Sequence, residues 1–139
     1  MLLIESKHYD KLIHQETVAI GDLYFFKNYL VAEFNEGINI TYENFDDAKT
    51  AIQKYYGNTS FGFIANRKKS YSILITDAPF FNETFKNLKA YATVTYSNFA
   101  SKVFEMENHF FKFNRQNFNE LDDAIQWVES HFKDASALV

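Results

Sequence analysis

The segment Phe111 to Phe132, FKFNRQNFNELDDAIQWVESHF, constrains the fold more than any other part of the chain. A short aromatic strand runs through a polar turn into a capped amphipathic helix. Apolar side chains recur at Phe118, Leu121, Ala124, Ile125, Val128 and Phe132 with helical spacing, and Glu120, Asp122, Asp123, Gln126 and Glu129 take the opposite face. A helix of this kind packs one face on a sheet and leaves the other wet, so the spacing predicts an α/β protein. The segment holds no nucleophile, metal-ligand pair or phosphate loop, and neither does the rest of the sequence.

Upstream, strand and helix signals alternate. Leu23 to Phe26 and Tyr29 to Phe34 are β-prone runs separated by Lys27-Asn28, the pattern of an antiparallel hairpin. Ile13 to Ile20 alternates loosely and is expected to add a strand, turning at Gly21-Asp22. A helix is predicted from Thr41 or Asn44 to Tyr56, with Asp46 and Asp47 at its positive end and Gly57 as its stop. Its inward stripe is Phe45, Ala48, Ile52 and Tyr55. Phe61 to Ala65 is a continuous apolar run, as in a strand covered on both faces. The loop Asn66 to Thr76 follows. Asp77 and Pro79 start a second helix with Ala78, Phe81, Phe85 and Leu88 on one face. Tyr91 to Tyr96 is the next buried strand. Ser97 or Asn98 then caps a helix expected to turn Phe99, Val103, Met106 and Phe110 inward, and Phe111 to Phe113 make the last short strand. The economical arrangement is a mixed, mainly parallel sheet with an antiparallel N-terminal hairpin and about four helices.

A length of 139 residues suits one domain, and no linker divides it. Residues 1–10 are expected to be irregular and 133–139 to form a tail. With 47% hydrophobic residues the chain fills a core, which argues against disorder. The absence of cysteine removes disulfides, thiolate catalysis and cysteine-based metal sites, and fits a reducing cytoplasm. The run Met1 to Ile4 is too short for a signal-peptide core, and no apolar run approaches a bilayer's width, so stable membrane insertion is not expected. A net charge of -4 with only two arginines, Arg67 and Arg115, argues against nucleic acid as a partner.

Glu105 and His109 place two metal ligands one turn apart, but two ligands do not make a site, and neither metal nor cofactor is expected. Asp46-Asp47 and Asp122-Asp123 fall in first helical turns, where carboxylates favour the helix dipole. The glycines are scattered, so no phosphate cradle is formed. Tyr24, Phe25, Tyr42, Tyr56, Phe80 and Trp127 are left over once the inward stripes are assigned. Some of these are expected on the surface, as a partner or homodimer contact. The best candidate site is the loop holding Asn66, Arg67, Ser70, Tyr71 and Ser72. It leaves the carboxyl end of a buried strand, where open α/β sheets bind ligands, and combines a guanidinium fork with lysines, hydroxyls and a phenol.

The order of elements from Gly21 to Phe132 resembles the STAS fold of anti-sigma factor antagonists and sulfate-transporter tails, and more closely its small stand-alone bacterial relatives of unknown function. The likeness rests on Glu33-Phe34-Asn35-Glu36-Gly37, Ala65-Asn66-Arg67 with Ser70-Tyr71-Ser72, and Phe118 to Trp127. The resemblance implies a non-enzymatic module acting through a protein partner or a small anionic ligand. The family's phosphorylatable serine, typically within Asp-Ser-Ser-Gly, has no such stretch here; Ser70 or Ser72 lies in the comparable region. The alternative is an apolar or lipid ligand held between helices and sheet.

Overall fold

The computed structural model describes residues 1–132; the expected tail at 133–139 lies outside them. The N-terminal segment forms two short 3₁₀ turns, Leu3–Glu5 and Lys7–Lys11. Strands β1 (His14–Val18), β2 (Gly21–Phe25) and β3 (Tyr29–Phe34) form an antiparallel meander. The turn between β1 and β2 is at Ala19-Ile20, so Gly21 already belongs to β2 rather than to the turn.

After β3 come β4 (Asn39–Ile40), helix α1 (Asp46–Tyr56), β5 (Phe61–Asn66), β6 (Ser72–Ile73), α2 (Ala78–Thr84), β7 (Leu88–Val94), α3 (Asn98–Glu107), β8 (Arg115–Phe118) and α4 (Leu121–Ser130). The main sheet has the order β1-β2-β3-β5-β7-β8 and is parallel from β3 onward. β4 and β6 pair separately, Asn39 with Ser72 and Ile40 with Ile73. The expected loop 66–76 thus contains a strand too short to leave a periodic signal.

Thr41 and Asn44 do not open α1. They exchange backbone-to-side-chain hydrogen bonds across the turn before it, and the helix begins at Asp46. Gly57 ends it with φ of +58°, a conformation that costs glycine little. Its buried face adds Ala51 and Tyr56, with Tyr55 half-buried. The α4 stripe Leu121, Ala124, Ile125 and Val128 is buried as the spacing predicts, although no side chain caps this helix. Phe118 and Phe132 pack with it but lie in β8 and beyond the helix end.

Burial divides the core in two. Phe61, Phe63 and Ala65 of β5 face α1 and α2, and Ile64 faces α4, which lies across β5, β7 and β8. Gly62 lets α4 approach, because a Cβ there would overlap Val128 Cγ1.

Two expectations at the far edge of the sheet are corrected. The last strand is Arg115–Phe118, not Phe111–Phe113. Phe111 is a core residue, whereas the strand is polar because it is an edge paired only with β7. Helix α3 is turned away from its apolar stripe: Phe104 and Glu107 are buried, while Phe99, Met106 and Phe110 are 75%, 50% and 43% exposed. An inward carboxylate is invisible to apolar periodicity, and here it decides the helix's rotation. Of the leftover aromatics, Tyr24, Phe25 and Tyr56 are buried, and Phe80 is 56% exposed.

Candidate functional site

The carboxyl ends of β5 and β7 lie side by side, and the chain leaves them through Arg67 to Tyr71 and through Thr95 to Ser97. Arg67 N–H donates to the Val94 carbonyl at 3.0 Å, extending the pairing by one residue. Alternation along β5 then sends Arg67 to the face covered by α1 and α2, with Phe61, Phe63 and Ala65.

There its fork is already engaged. Arg67 Nη1 donates to Glu107 Oε1 at 2.9 Å, Nη2 donates to the Tyr71 carbonyl at 3.1 Å, and the guanidinium stacks 4.5 Å over the Tyr71 ring. Arg115 Nη2 reaches the same Glu107 oxygen at 3.5 Å and lies against the rings of Tyr91, Phe104 and Phe111. Burial raises the Tyr71 phenol pKa above its ordinary value, with the Arg67 charge opposing. Tyr91 is raised by burial too, against Arg115. Arg67 therefore positions the loop from beneath.

Asn66 is also drawn inward. Its amide donates to Glu33 Oε2 at 2.7 Å and its carbonyl accepts from the Tyr96 hydroxyl at 2.6 Å. Burial pushes the Tyr96 phenol up to about 12. Ser72 lies in β6 with its hydroxyl donating to Asn39 Oδ1 at 2.8 Å. Ser70 stays exposed, its N–H held by Glu36 Oε2 at 2.8 Å and its carbonyl by Gly37 N–H at 2.7 Å.

Above Arg67 and Tyr71 a concavity of about 250 Å³ opens between this loop and the start of α3, walled by Lys68, Lys69, Ser70, Tyr96, Ser97 and Phe99. Ser97 caps α3 by accepting from Ala100 N–H at 3.1 Å. Lys68 Nζ lies 4.8 Å over the Tyr96 ring, and neither Lys68 nor Lys69 enters an ion pair among the described residues. Asn66 lies instead on a neighbouring concavity of about 230 Å³ shared with Glu33, Leu2 and the same two lysines. The structure thus brings Arg67, Ser70 and Tyr71 to one wall, and sets Asn66 and Ser72 apart from it.

Sequence reasoning missed Glu107, Arg115, Tyr96 and Ser97 as neighbours of this loop. The scarcity of arginine was a usable signal, since both arginines meet one carboxylate. Between the sheet and α1–α2 lies an apolar cavity of about 40 Å³ lined by Phe34, Phe45, Phe63, Phe81 and Tyr91, among others. A ligand pocket is typically about 300–1,000 Å³. Among the described residues no group of three or more His, Asp or Glu side chains is placed to hold a metal ion. No described helix is long and apolar enough to cross a membrane.

The architecture has a solved counterpart. An uncharacterised protein of the DUF3478 family from Shewanella loihica, described as having a SpoIIAA-like fold, superposes with a TM-score of 0.58 over 84% of this chain and 96% of that one, at 13% identity. The fold is SpoIIAA-like, that is, STAS-like. No protein-family model and no curated protein matches the sequence.

Proposed function

We propose that this STAS-like protein is a non-catalytic binding module that receives an anionic group, carried by a protein partner or a small ligand, in the concavity where β5 and β7 end. The observation that carries this reading is the pair Lys68 and Lys69, free of ion pairs among the described residues, at the rim of a 250 Å³ concavity that also holds the first turn of α3. Two ammonium groups raise the local concentration of anions, and the backbone N–H groups of a helix start add direction. Ser70 offers a hydroxyl at the same wall, while Arg67 and Tyr71 hold its floor. Asn66 and Ser72 fix the two ends of the loop.

The test is amide chemical-shift mapping during titration with inorganic phosphate and, separately, acetate. Saturable shifts confined to residues 68–71 and 97–100, lost in Lys68→Ala/Lys69→Ala, are expected. Shifts that persist in that folded variant, or that map elsewhere, overturn the reading. A lysate partner retained by wild type and lost by the same variant would distinguish a protein-borne anion from a free one.

A further inference from the structure

Among the described residues, no carboxylate lines the concavity where β5 and β7 end. Its cations are Lys68, Lys69 and, at its floor, Arg67, whose side chain is only 5% exposed. The buried cluster beneath carries a positive surplus of its own. The guanidinium groups of Arg67 and Arg115 share Glu107, and no other described carboxylate comes within ion-pairing distance of either. Arg115 Nε and Nη1 are buried with no acceptor at all. Two positive charges against one negative leave one uncompensated, and charge withdrawn from water is weakly screened.

The α3 wall of the same concavity is apolar, formed by Phe99, Ala100 and Val103, with Phe99 75% exposed. An inorganic anion would engage the lysine side and leave this wall wet. A cavity of about 150 Å³ holds benzene. The concavity is about 250 Å³, enough for one ring and an anionic head. The Tyr96 ring already lies under Lys68, which leaves Phe99 as the ring open to stacking. A phosphate monoester carries about -1.5 to -2 charges near neutrality and presents three acceptor oxygens. It suits two lysines above a buried surplus better than the single charge of a carboxylate does.

We propose that the concavity takes a small organic phosphate with a flat aromatic body, the phosphate among Lys68, Lys69 and the Ser70 hydroxyl, and the ring against Phe99 and Val103. This rests on the anion-binding reading above and adds to it the class of molecule. Arg67 is not a direct ligand, because its fork is taken by Glu107 and the Tyr71 carbonyl. It contributes charge from the floor without contact.

Amide chemical-shift titrations of the full chain with phenyl phosphate, inorganic phosphate and phenol test this. Phenyl phosphate should bind about tenfold or more tighter than inorganic phosphate, since removing one face of a ring from water is worth about that factor. Phenol, the ring without the charge, should bind about tenfold or more weaker than phenyl phosphate. In Phe99→Ala, a change at an exposed position, the advantage of phenyl phosphate over phosphate should fall to about twofold or less. Equal affinities for phosphate and phenyl phosphate, or an advantage that survives Phe99→Ala, overturns the proposal and leaves anion binding standing. Phenol binding as tightly as phenyl phosphate, or no saturable shifts at 68–71 and 97–100 with any of the three, removes anion binding and the proposal together.

Discussion

Arg67 Nη1 lies 2.9 Å from Glu107 Oε1, with both side chains withdrawn from solvent. Arg115 approaches the same oxygen, so the chain's two arginines share one carboxylate in the interior between β5, β8 and α3. A buried ion pair is weak support for stability when compared with an apolar replacement. Removing one partner is different, because it leaves charge without a counterion.

Glu107→Ala should therefore destabilise the protein by about 3–5 kcal/mol, since two buried guanidinium groups would face each other unscreened. Arg67→Lys keeps the charge but gives up the paired donation to Glu107 and the Tyr71 carbonyl, and should cost about 1–3 kcal/mol. Urea unfolding measures both. The sequence alone suggests that Arg67→Lys would spare folding, because the fork was expected to face a ligand. A cost below about 0.5 kcal/mol for Arg67→Lys would restore that view.

In the centre of the sheet, Ile64→Ala should cost about 2–5 kcal/mol by opening a cavity against α4. Gly62→Ala acts by the opposite route. Its added methyl would overlap Val128, a short side chain packed in the core, and should cost about 1–3 kcal/mol. The double variant Gly62→Ala/Val128→Ala should recover part of that loss on denaturant unfolding. No recovery would mean that the glycine is needed for its backbone and not for the approach of α4.

Where apolar spacing alone decided burial, the sequence was legible. α4 packs through Leu121, Ala124, Ile125 and Val128, and β5 is covered on both faces. It misled at α3, whose row Phe99, Val103, Met106 and Phe110 has better helical spacing than the face actually buried. There a carboxylate and two arginines outweigh hydrophobic periodicity, and the Arg67–Glu107 pairing across 40 residues leaves no local trace. The candidate loop was legible as the exit of a central parallel strand. That Arg67 turns in while Lys68 and Lys69 remain outside follows from strand alternation carried one residue past β5, a step that needed the strand's true end.

Tyr56 joins α1 to the hairpin, its hydroxyl donating to the Phe26 carbonyl at 2.8 Å in a buried setting. Burial raises the pKa of this phenol, so it remains a donor across the accessible pH range. Tyr56→Phe keeps the ring stacked on Phe61 but strands the carbonyl, and should cost about 1–3 kcal/mol. Thermal unfolding of the variant would show this as a lower midpoint. An unchanged midpoint would indicate that water replaces the hydroxyl.

Glu33 should give the protein a pH dependence of unusual sign. Its Oε2 accepts from Leu3 N–H at 2.8 Å and from the Asn66 amide at 2.7 Å, tying the N-terminal segment to the end of β5. Burial nevertheless raises its pKa above the ordinary 4.5, and these two hydrogen bonds only partly oppose the shift. A carboxyl whose folded-state pKa is raised favours the folded protein most when protonated. Its contribution is complete below about 4.5, the unfolded value, and is lost as pH rises through the folded-state value. The effect is read as a difference against a variant that cannot ionise at this position. Glu33→Gln retains an oxygen to accept both bonds and cannot ionise. Wild type should therefore lose stability relative to Glu33→Gln as pH is raised from 4.5 toward neutrality, with the difference levelling off above the folded-state pKa. If wild type instead gains on the variant over that interval, the carboxylate is stabilised by its two donors more than it is penalised by burial, and the N-terminal segment is held by charge.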